Sequence, residues 1–493
     1  MSLINVANLT FAYDGSYDNI FENTSFQIDT DWKLGFTGRN GRGKTTFLNL
    51  LLGKYEYGGT ISAQVGFEYF PFHVERKEMN TIDVVENIYP DYEYWILARE
   101  LSLLKVGEDV LYRSFESLSN GEQTKVLLAA LFLKENSFLL IDEPTNHLDM
   151  EARKLVSEYL RAKSGFILVS HDRAFLDHCV DHILSINKAG IDIQKGNFSD
   201  WWENKQRQDQ FELAENEKLK KDIKRLSEAA KRTSNWSHEV EKTKNGTTNS
   251  GSKVDKGYIG HKAAKMMKRS KSIEHRQQAA MEEKSKLLKN IESADTLKIS
   301  QLVYHKSRLA ELDKVSVVYG GKAVCEPVSF TIEQGDRIAL LGKNGSGKSS
   351  LLKLICGEPI AYDGTFRKGS QLKISYVPQD TSHLQGNLTD YARNSGIDES
   401  LFKSILRKLD FSRVQFEKDI SAFSGGQKKK VLIARSLCEN VHLHIWDEPL
   451  NYIDVISRIQ IEELLLEYKP TILFVEHDRE FCDNIATKLV ELS

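Results

Sequence analysis

Gly38-Arg-Asn-Gly-Arg-Gly-Lys-Thr45 is echoed by Gly342-Lys-Asn-Gly-Ser-Gly-Lys-Ser349, with Lys44 and Lys348 lying 304 residues apart in a chain of 493. Other features keep step. Ser119 and Ser424 differ by 305, Asp142 and Asp447 by 305, and His171 and His477 by 306. Collinear matches at a nearly constant offset mean that a whole domain is duplicated with few internal insertions. Both copies alternate apolar, strand-like runs with helical stretches, which predicts α/β domains at residues 1–202 and 306–493. Residues 203–305 belong to neither copy.

That middle segment differs in kind. From Glu203 to Asn290 there are 22 Lys and Arg against 13 Asp and Glu, whereas the rest of the chain holds 45 against 57, so the net charge of −3 conceals an asymmetry. Its inner part, Lys220 to Arg276, has 16 basic and 6 acidic residues. Leu219, Ile223, Leu226 and Ala230 are spaced four and three apart, and Met266, Ile273, Ala280 and Leu287 repeat every seven, as in helices that pack along a seam. The pattern predicts a helical hairpin whose ascending helix runs from near Glu203 to Trp236. Its tip falls at residues 244–260, where glycines and small polar residues break any helix.

No apolar run approaches the ~20 residues needed to span a bilayer, and the first residues lack the pattern of an export signal. A cytoplasmic protein without a membrane domain is expected. The five cysteines, Cys179, Cys325, Cys356, Cys438 and Cys482, are odd in number and lack metal-site spacing, and read as buried thiols.

A glycine-rich loop that opens an apolar helix is a phosphate site, because backbone N–H groups and the helix N-terminus face the anion. The candidate nucleotide contacts are Gly38, Asn40, Gly41, Gly43, Lys44, Thr45 and Thr46 in the first copy. In the second they are Gly342, Asn344, Gly345, Gly347, Lys348, Ser349 and Ser350. The lysines suit the terminal phosphates of a nucleotide, and the Thr45 and Ser349 hydroxyls suit Mg²⁺. Two apolar strands each deliver adjacent carboxylates at a strand end, where α/β sheets bind ligands. Asp142 and Asp447 suit the metal shell, while Glu143 and Glu448 suit the polarisation of attacking water. His171 and His477 follow further apolar strands and are expected to reach the γ-phosphate from the same edge.

Each half also carries a signature-like element, Leu118-Ser-Asn-Gly-Glu-Gln123 and Phe423-Ser-Gly-Gly-Gln427, and with these the chain resembles the ATP-binding cassette superfamily. The resemblance implies a head-to-tail sandwich within a monomer, each ATP being held by the P-loop of one half and the signature of the other. Ser119 and Gly121 would then complete the Lys348 site, and Ser424 and Gly426 the Lys44 site. It also implies that Tyr13 and Tyr319 stack on adenine and that Gln379 senses the metal, a place where the first half offers Phe72. The second half departs from the first in Glu-Pro-Leu-Asn-Tyr-Ile-Asp454 and in Gln427, so the two sites are expected to differ in rate.

Two cassettes, no membrane segment and a basic helical linker together resemble the ABC-F family of translational ATPases. A shortened arm at residues 81–115 and the extended linker are similar to its antibiotic-resistance group, which protects ribosomes from lincosamides, streptogramin A and pleuromutilins. The implied partner is the 70S ribosome, with the linker meeting 23S rRNA and tRNA near the exit and peptidyl sites. The implied act is displacement of drug, with ATP hydrolysis driving release. Trp236, Tyr258 and His261 are candidates for stacking on bases. A housekeeping translation factor and the ATPase subunit of a drug exporter are the alternatives.

Overall fold

The computed structural model describes residues 2–13, 19–134, 136–146, 148–187, 190–243 and 301–492, together with eight positions between 261 and 276; the side chains of 187, 226 and 229–243 lie outside that description. The chain divides into two compact units, residues 1–201 with 296–493, and residues 202–295. Among the described residues no helix is long and apolar enough to cross a membrane.

In the first cassette the strands are β1 (Leu3–Phe11), β2 (Phe21–Asp29), β3 (Lys33–Thr37), β4 (Gly58–Ser62), β5 (Gly66–Phe70), β6 (Ser137–Asp142), β7 (Phe166–Val169), β8 (His182–Asn187) and β9 (Gly190–Lys195). They form an antiparallel sheet, β2-β1-β4, and a sheet ordered β5-β6-β7-β3-β8-β9 that is parallel except for its β8-β9 hairpin. The loop helix Lys44–Leu51 lies in the core between them: Phe47, Leu48 and Leu50 are buried with Val6 and Phe21 from one sheet and Phe36, Leu140 and Ile167 from the other. Continuous apolar runs such as Phe138–Ile141 follow from this, since a parallel sheet is covered on both faces.

The second cassette repeats the plan with β10 (Arg308–Tyr319), β11 (Lys322–Ala323), β12 (Val328–Glu333), β13 (Arg337–Gly342), β14 (Tyr362–Lys368), β15 (Ile374–Val377), β16 (Leu443–Asp447), β17 (Ile472–Val475) and β18 (Lys488–Leu492). Here β10 pairs with β11, β12 and β14, and the parallel sheet runs β15-β16-β17-β13-β18. Its outer face is covered by helices Glu399–Lys408, Gly425–Cys438 and Val455–Tyr468, which bury Phe402, Val431 and Leu464 around Trp446.

The ascending linker helix runs over Phe198–Thr243 rather than from 203 to 236. Its start is set by capping that apolar periodicity does not report: Asp200 N donates to Asn197 Oδ1 at 2.9 Å, and Asn197 N to Asp200 Oδ2 at 3.2 Å. At 46 residues the helix extends about 69 Å. The tip at 244–260, Tyr258 included, and the side chain of Trp236 lie outside the described residues. Cys179, Cys325 and Cys482 are buried as expected, but Cys356 and Cys438 are only partly so, because each ends its helix.

Candidate functional site

The parallel sheets decide where the chemistry gathers. Because β6, β7 and β3 are neighbours, their carboxyl ends bring Asp142, the turn holding His171 and the Gly38–Lys44 loop to one edge. β16, β17 and β13 do the same for Asp447, His477 and the Gly342–Lys348 loop. Gly43 and Gly347 open the loop helices with φ of 97° and 84°. A Cβ on Gly43 would also stand 2.5 Å from Ile20 Cγ2, so glycine there answers both to left-handed backbone and to close approach.

Lys44 and Lys348 are buried and curl over their own loops. Lys44 Nζ donates to Gly38 O at 2.7 Å, and Lys348 Nζ to Gly342 O and Lys343 O at 2.8 Å each. Burial lowers both ammonium pKa values, opposed by Asp454, Glu143 and Asp142 around Lys44 and by Glu448, Asp149 and Asp447 around Lys348. Thr45 Oγ1 donates to Asp142 Oδ2 at 3.3 Å, and Ser349 Oγ to Asp447 Oδ1 at 3.1 Å. The Tyr69 and Tyr376 hydroxyls donate to the same aspartates at 3.1 and 3.4 Å. Burial raises both aspartates above the usual carboxylate range. A hydroxyl beside a carboxylate is the hard-oxygen set that suits Mg²⁺, which takes one or two protein ligands and leaves the rest to phosphate and water.

Glu143 and Glu448 stand in left-handed backbone, φ 51° and 45°, a strained conformation of the sort that clusters at active sites. His171 Nε2 lies 3.3 Å from Glu143 Oε1, and His477 Nε2 3.6 Å from Glu448 Oε1. Their carboxyls differ. Burial, reinforced by Asp142, pushes Glu143 up to about 8. Burial also presses upward on Glu448, but His477, Asn451 and Lys348 outweigh it and hold the carboxyl below its usual range. Gln379 Nε2 and Asn451 Nδ2 both donate to Glu448 Oε2, at 2.8 and 2.6 Å. Phe72, at the place of Gln379, packs edge-on against Tyr89 instead. Burial, then Lys44, holds His171 well below the usual imidazole range, so it is neutral.

The two cassettes meet across these sites. Asn40 Nδ2 donates to Tyr452 O at 2.8 Å, and a Cβ on Gly426 would stand 3.1 Å from Asn40 Nδ2, so the second signature lies against the first loop. Arg39 Nη1 pairs with Asp410 Oδ2 at 2.9 Å alongside. At the other site a cavity of about 1350 Å³ is lined by Ser119, Gly121, Asn344, Gly345, Lys348 and His477; Ser350 also faces it. Ser119 and Ser424 each cap the helix they open, accepting from the N–H three residues on. Tyr13 is half-exposed, with its hydroxyl 2.8 Å from Thr46 Oγ1 and its ring edge-on to Phe11 and Tyr55. Tyr319 ends β10, half-exposed, and Gly41 and Gly345 have open space where a Cβ would point.

Several residues at these sites escaped the motif reading. Tyr69 and Tyr376 serve the aspartates. Arg153 Nη1 donates to Asp172 Oδ2 at 3.0 Å and, across the interface, to His477 O at 3.3 Å, while Arg458 Nη1 donates to Asp478 Oδ2 at 3.0 Å. Lys429 binds three carbonyls beside Glu448. The duplication offered a signal for the first four, since Tyr69 and Tyr376 are 307 apart and Arg153 and Arg458 are 305 apart.

Comparison with known proteins places this geometry. The family model described as "ABC transporter" matches residues 21–146 and 325–451. The ribosome protection protein VmlR of Bacillus subtilis (strain 168) is 27% identical over 489 residues, spanning 98% of this chain and 85% of its own. The ATP-binding protein Uup of Caulobacter vibrioides is 27% identical over 491 residues, spanning 96% of this chain and 74% of its own. Among solved structures, a crystal structure of an archaeal ribosome recycling factor, aABCE1, with the stalk protein aP1 aligns with a TM-score of 0.64 at 19% identity, covering 98% of this chain and 87% of that one. That likeness is one of fold.

Proposed function

The chain belongs to the ABC transporter family, which makes it an ATPase, and we propose that it works as a ribosome-protecting member of the ABC-F kind. In this reading ATP draws each P-loop against the opposite signature, Ser424 and Gly426 completing the Lys44 site and Ser119 and Gly121 the Lys348 site. Glu143 and Glu448 orient and deprotonate the attacking water, and His171 and His477 face the γ-phosphate. Tyr13 and Tyr319 support the adenine ring. Thr45 with Asp142, and Ser349 with Asp447 and Gln379, would hold Mg²⁺, which supplies charge neutralisation at the phosphates.

The closed protein docks on a drug-stalled 70S ribosome, and its linker reaches rRNA and tRNA so that drug leaves the peptidyl-transferase region. Hydrolysis then releases the protein. The observation that carries this reading is the pairing of two complete cassettes with a strongly basic helical segment, where no described helix crosses a membrane to take up the motion. Further support comes from full-length similarity to a ribosome protection protein. His261, Lys265, Lys268, Lys271, His275 and Arg276 are helical and exposed at three- and four-residue spacing, a stripe suited to phosphate contact.

The test is co-sedimentation of the Glu143→Gln, Glu448→Gln double variant with 70S ribosomes in ATP across a salt series. ATP-dependent association that weakens with salt is expected, since neutralised phosphates release counterions. No association by a variant that binds ATP would overturn the ribosomal reading. A growth defect of a deletion strain in the absence of drug would favour a housekeeping translation factor instead.

A further inference from the structure

Lys429 lies in helix Gly425–Cys438 and is 1% exposed. An ammonium carries three donors and no acceptor, and here all three find carbonyls: Pro378 O at 2.9 Å, Glu448 O at 3.1 Å and Asp447 O at 3.4 Å. The choice of carbonyls matters more than their number. Those of Asp447 and Glu448 belong to the two peptide planes that flank the Glu448 Cα, so holding both fixes the backbone of that residue, which stands at φ 45°. A left-handed glutamate persists only where its surroundings over-determine it. The Pro378 carbonyl belongs to the peptide that carries Gln379, whose side-chain amide donates to Glu448 Oε2. One buried cation thus ties the strained backbone of Glu448 to the loop that orients its carboxylate.

Among the described residues the first cassette has no counterpart. The duplication puts Thr124 at the place of Lys429, and its hydroxyl donates to Asn120 O within its own helix at 2.8 Å. Phe72 stands where Gln379 would, and Glu143 Oε1 has His171 Nε2 at 3.3 Å but no hydrogen bond among the described residues.

We propose that Lys429 is a positioning residue for ATP hydrolysis at the Lys348 site, clamping Glu448 and Gln379 in register so that this site turns over faster than the Lys44 site. The proposal rests on the reading of Glu448 as the residue that activates water. Single-site turnover separates the two ideas. In a Glu143→Gln background, where hydrolysis comes from the Lys348 site, Lys429→Met lowers kcat at least tenfold and leaves KM within about threefold, and Lys429→Arg restores a third or more of the rate. In a Glu448→Gln background the same Lys429→Met change costs at most about threefold.

Melting temperatures and binding of a fluorescent ATP analogue accompany each variant. If Lys429→Met does not fold, Lys429→Gln, which keeps one amide donor, takes its place. Equal losses in the two backgrounds would mark a merely structural lysine and overturn the proposal, as would an unchanged kcat in the Glu143→Gln background. A Glu448→Gln change that leaves turnover in the Glu143→Gln background intact would overturn the role of Glu448 itself, and the clamp with it.

Discussion

Two signature glycines that are equivalent in sequence meet different neighbours among the described residues. A Cβ on Gly426 would lie 2.2 Å from Tyr452 O and 3.1 Å from Asn40 Nδ2, whereas among the described residues one on Gly121 meets Leu148 Cδ2 at 3.8 Å. Overpacking against backbone typically costs about 1–3 kcal/mol. Gly426→Ala should therefore lower the melting temperature of the nucleotide-free protein by several degrees; an unchanged melting temperature would show that Tyr452 O does not confine this glycine. The same contrast explains what could be read from the sequence at this scale. That Lys44, Thr45, Asp142 and Glu143, and likewise their second-half relatives, gather at one sheet edge was legible because the loop and strand-end motifs demand particular residue types at fixed spacing. Asp410 and Lys429 were not legible, since their roles come from partners remote in sequence, Arg39 in the other cassette and the carbonyls of Pro378, Asp447 and Glu448.

Elements were legible where a local rule governs them and misplaced where a cap does. The loop helices follow from glycine at φ > 0 ahead of an apolar run, and the buried parallel strands from uninterrupted Leu, Ile, Val and Phe. The long linker helix begins five residues earlier than its periodicity suggested because Asn197 and Asp200 cap each other. Contacts between helices of different cassettes left no local trace at all. Arg173, opening helix Arg173–Cys179, pairs with Glu462 on helix Val455–Tyr468 and lies 3.4 Å from Glu480. Burial, only partly offset by Arg173, pushes Glu462 up to about 7 from 4.5. Between those values the folded chain holds a proton that the unfolded chain has released. The contribution of this group is therefore fully present below pH 4.5 and is lost as pH rises to 7. Glu462→Gln lacks that proton, so its melting temperature should gain on the wild type between pH 5 and 7.5; a difference that stays flat with pH would remove Glu462 from the linkage.

At the scale of the whole molecule, duplication has preserved the backbone and inverted a charge. Lys105 and Asp410 occupy the same left-handed turn after related helices, with φ of 51° and 67°. Asp410 meets Arg39 at 2.9 Å and Arg42 at 4.0 Å across one edge of the interface. At the other edge the related partners are Lys105 and Lys343, two cations that both line the large cavity. One edge thus joins opposite charges at these positions, whereas its twin sets two cations there and Lys343 pairs with Glu151 at 3.7 Å instead. The Arg39–Asp410 pair is about one-third exposed on each side, so it is worth at most about 1 kcal/mol, or roughly fivefold in a local opening equilibrium. Amide hydrogen exchange reads such openings directly. In nucleotide-free protein the 38–45 loop should exchange more slowly than the 342–349 loop. Lys105→Asp should slow the second, Asp410→Lys should hasten the first, and both differences should shrink in 1 M salt, where the Debye length falls to about 3 Å. Exchange in both loops that ignores these substitutions would mean that packing alone, and not the inverted charge, sets the two edges apart.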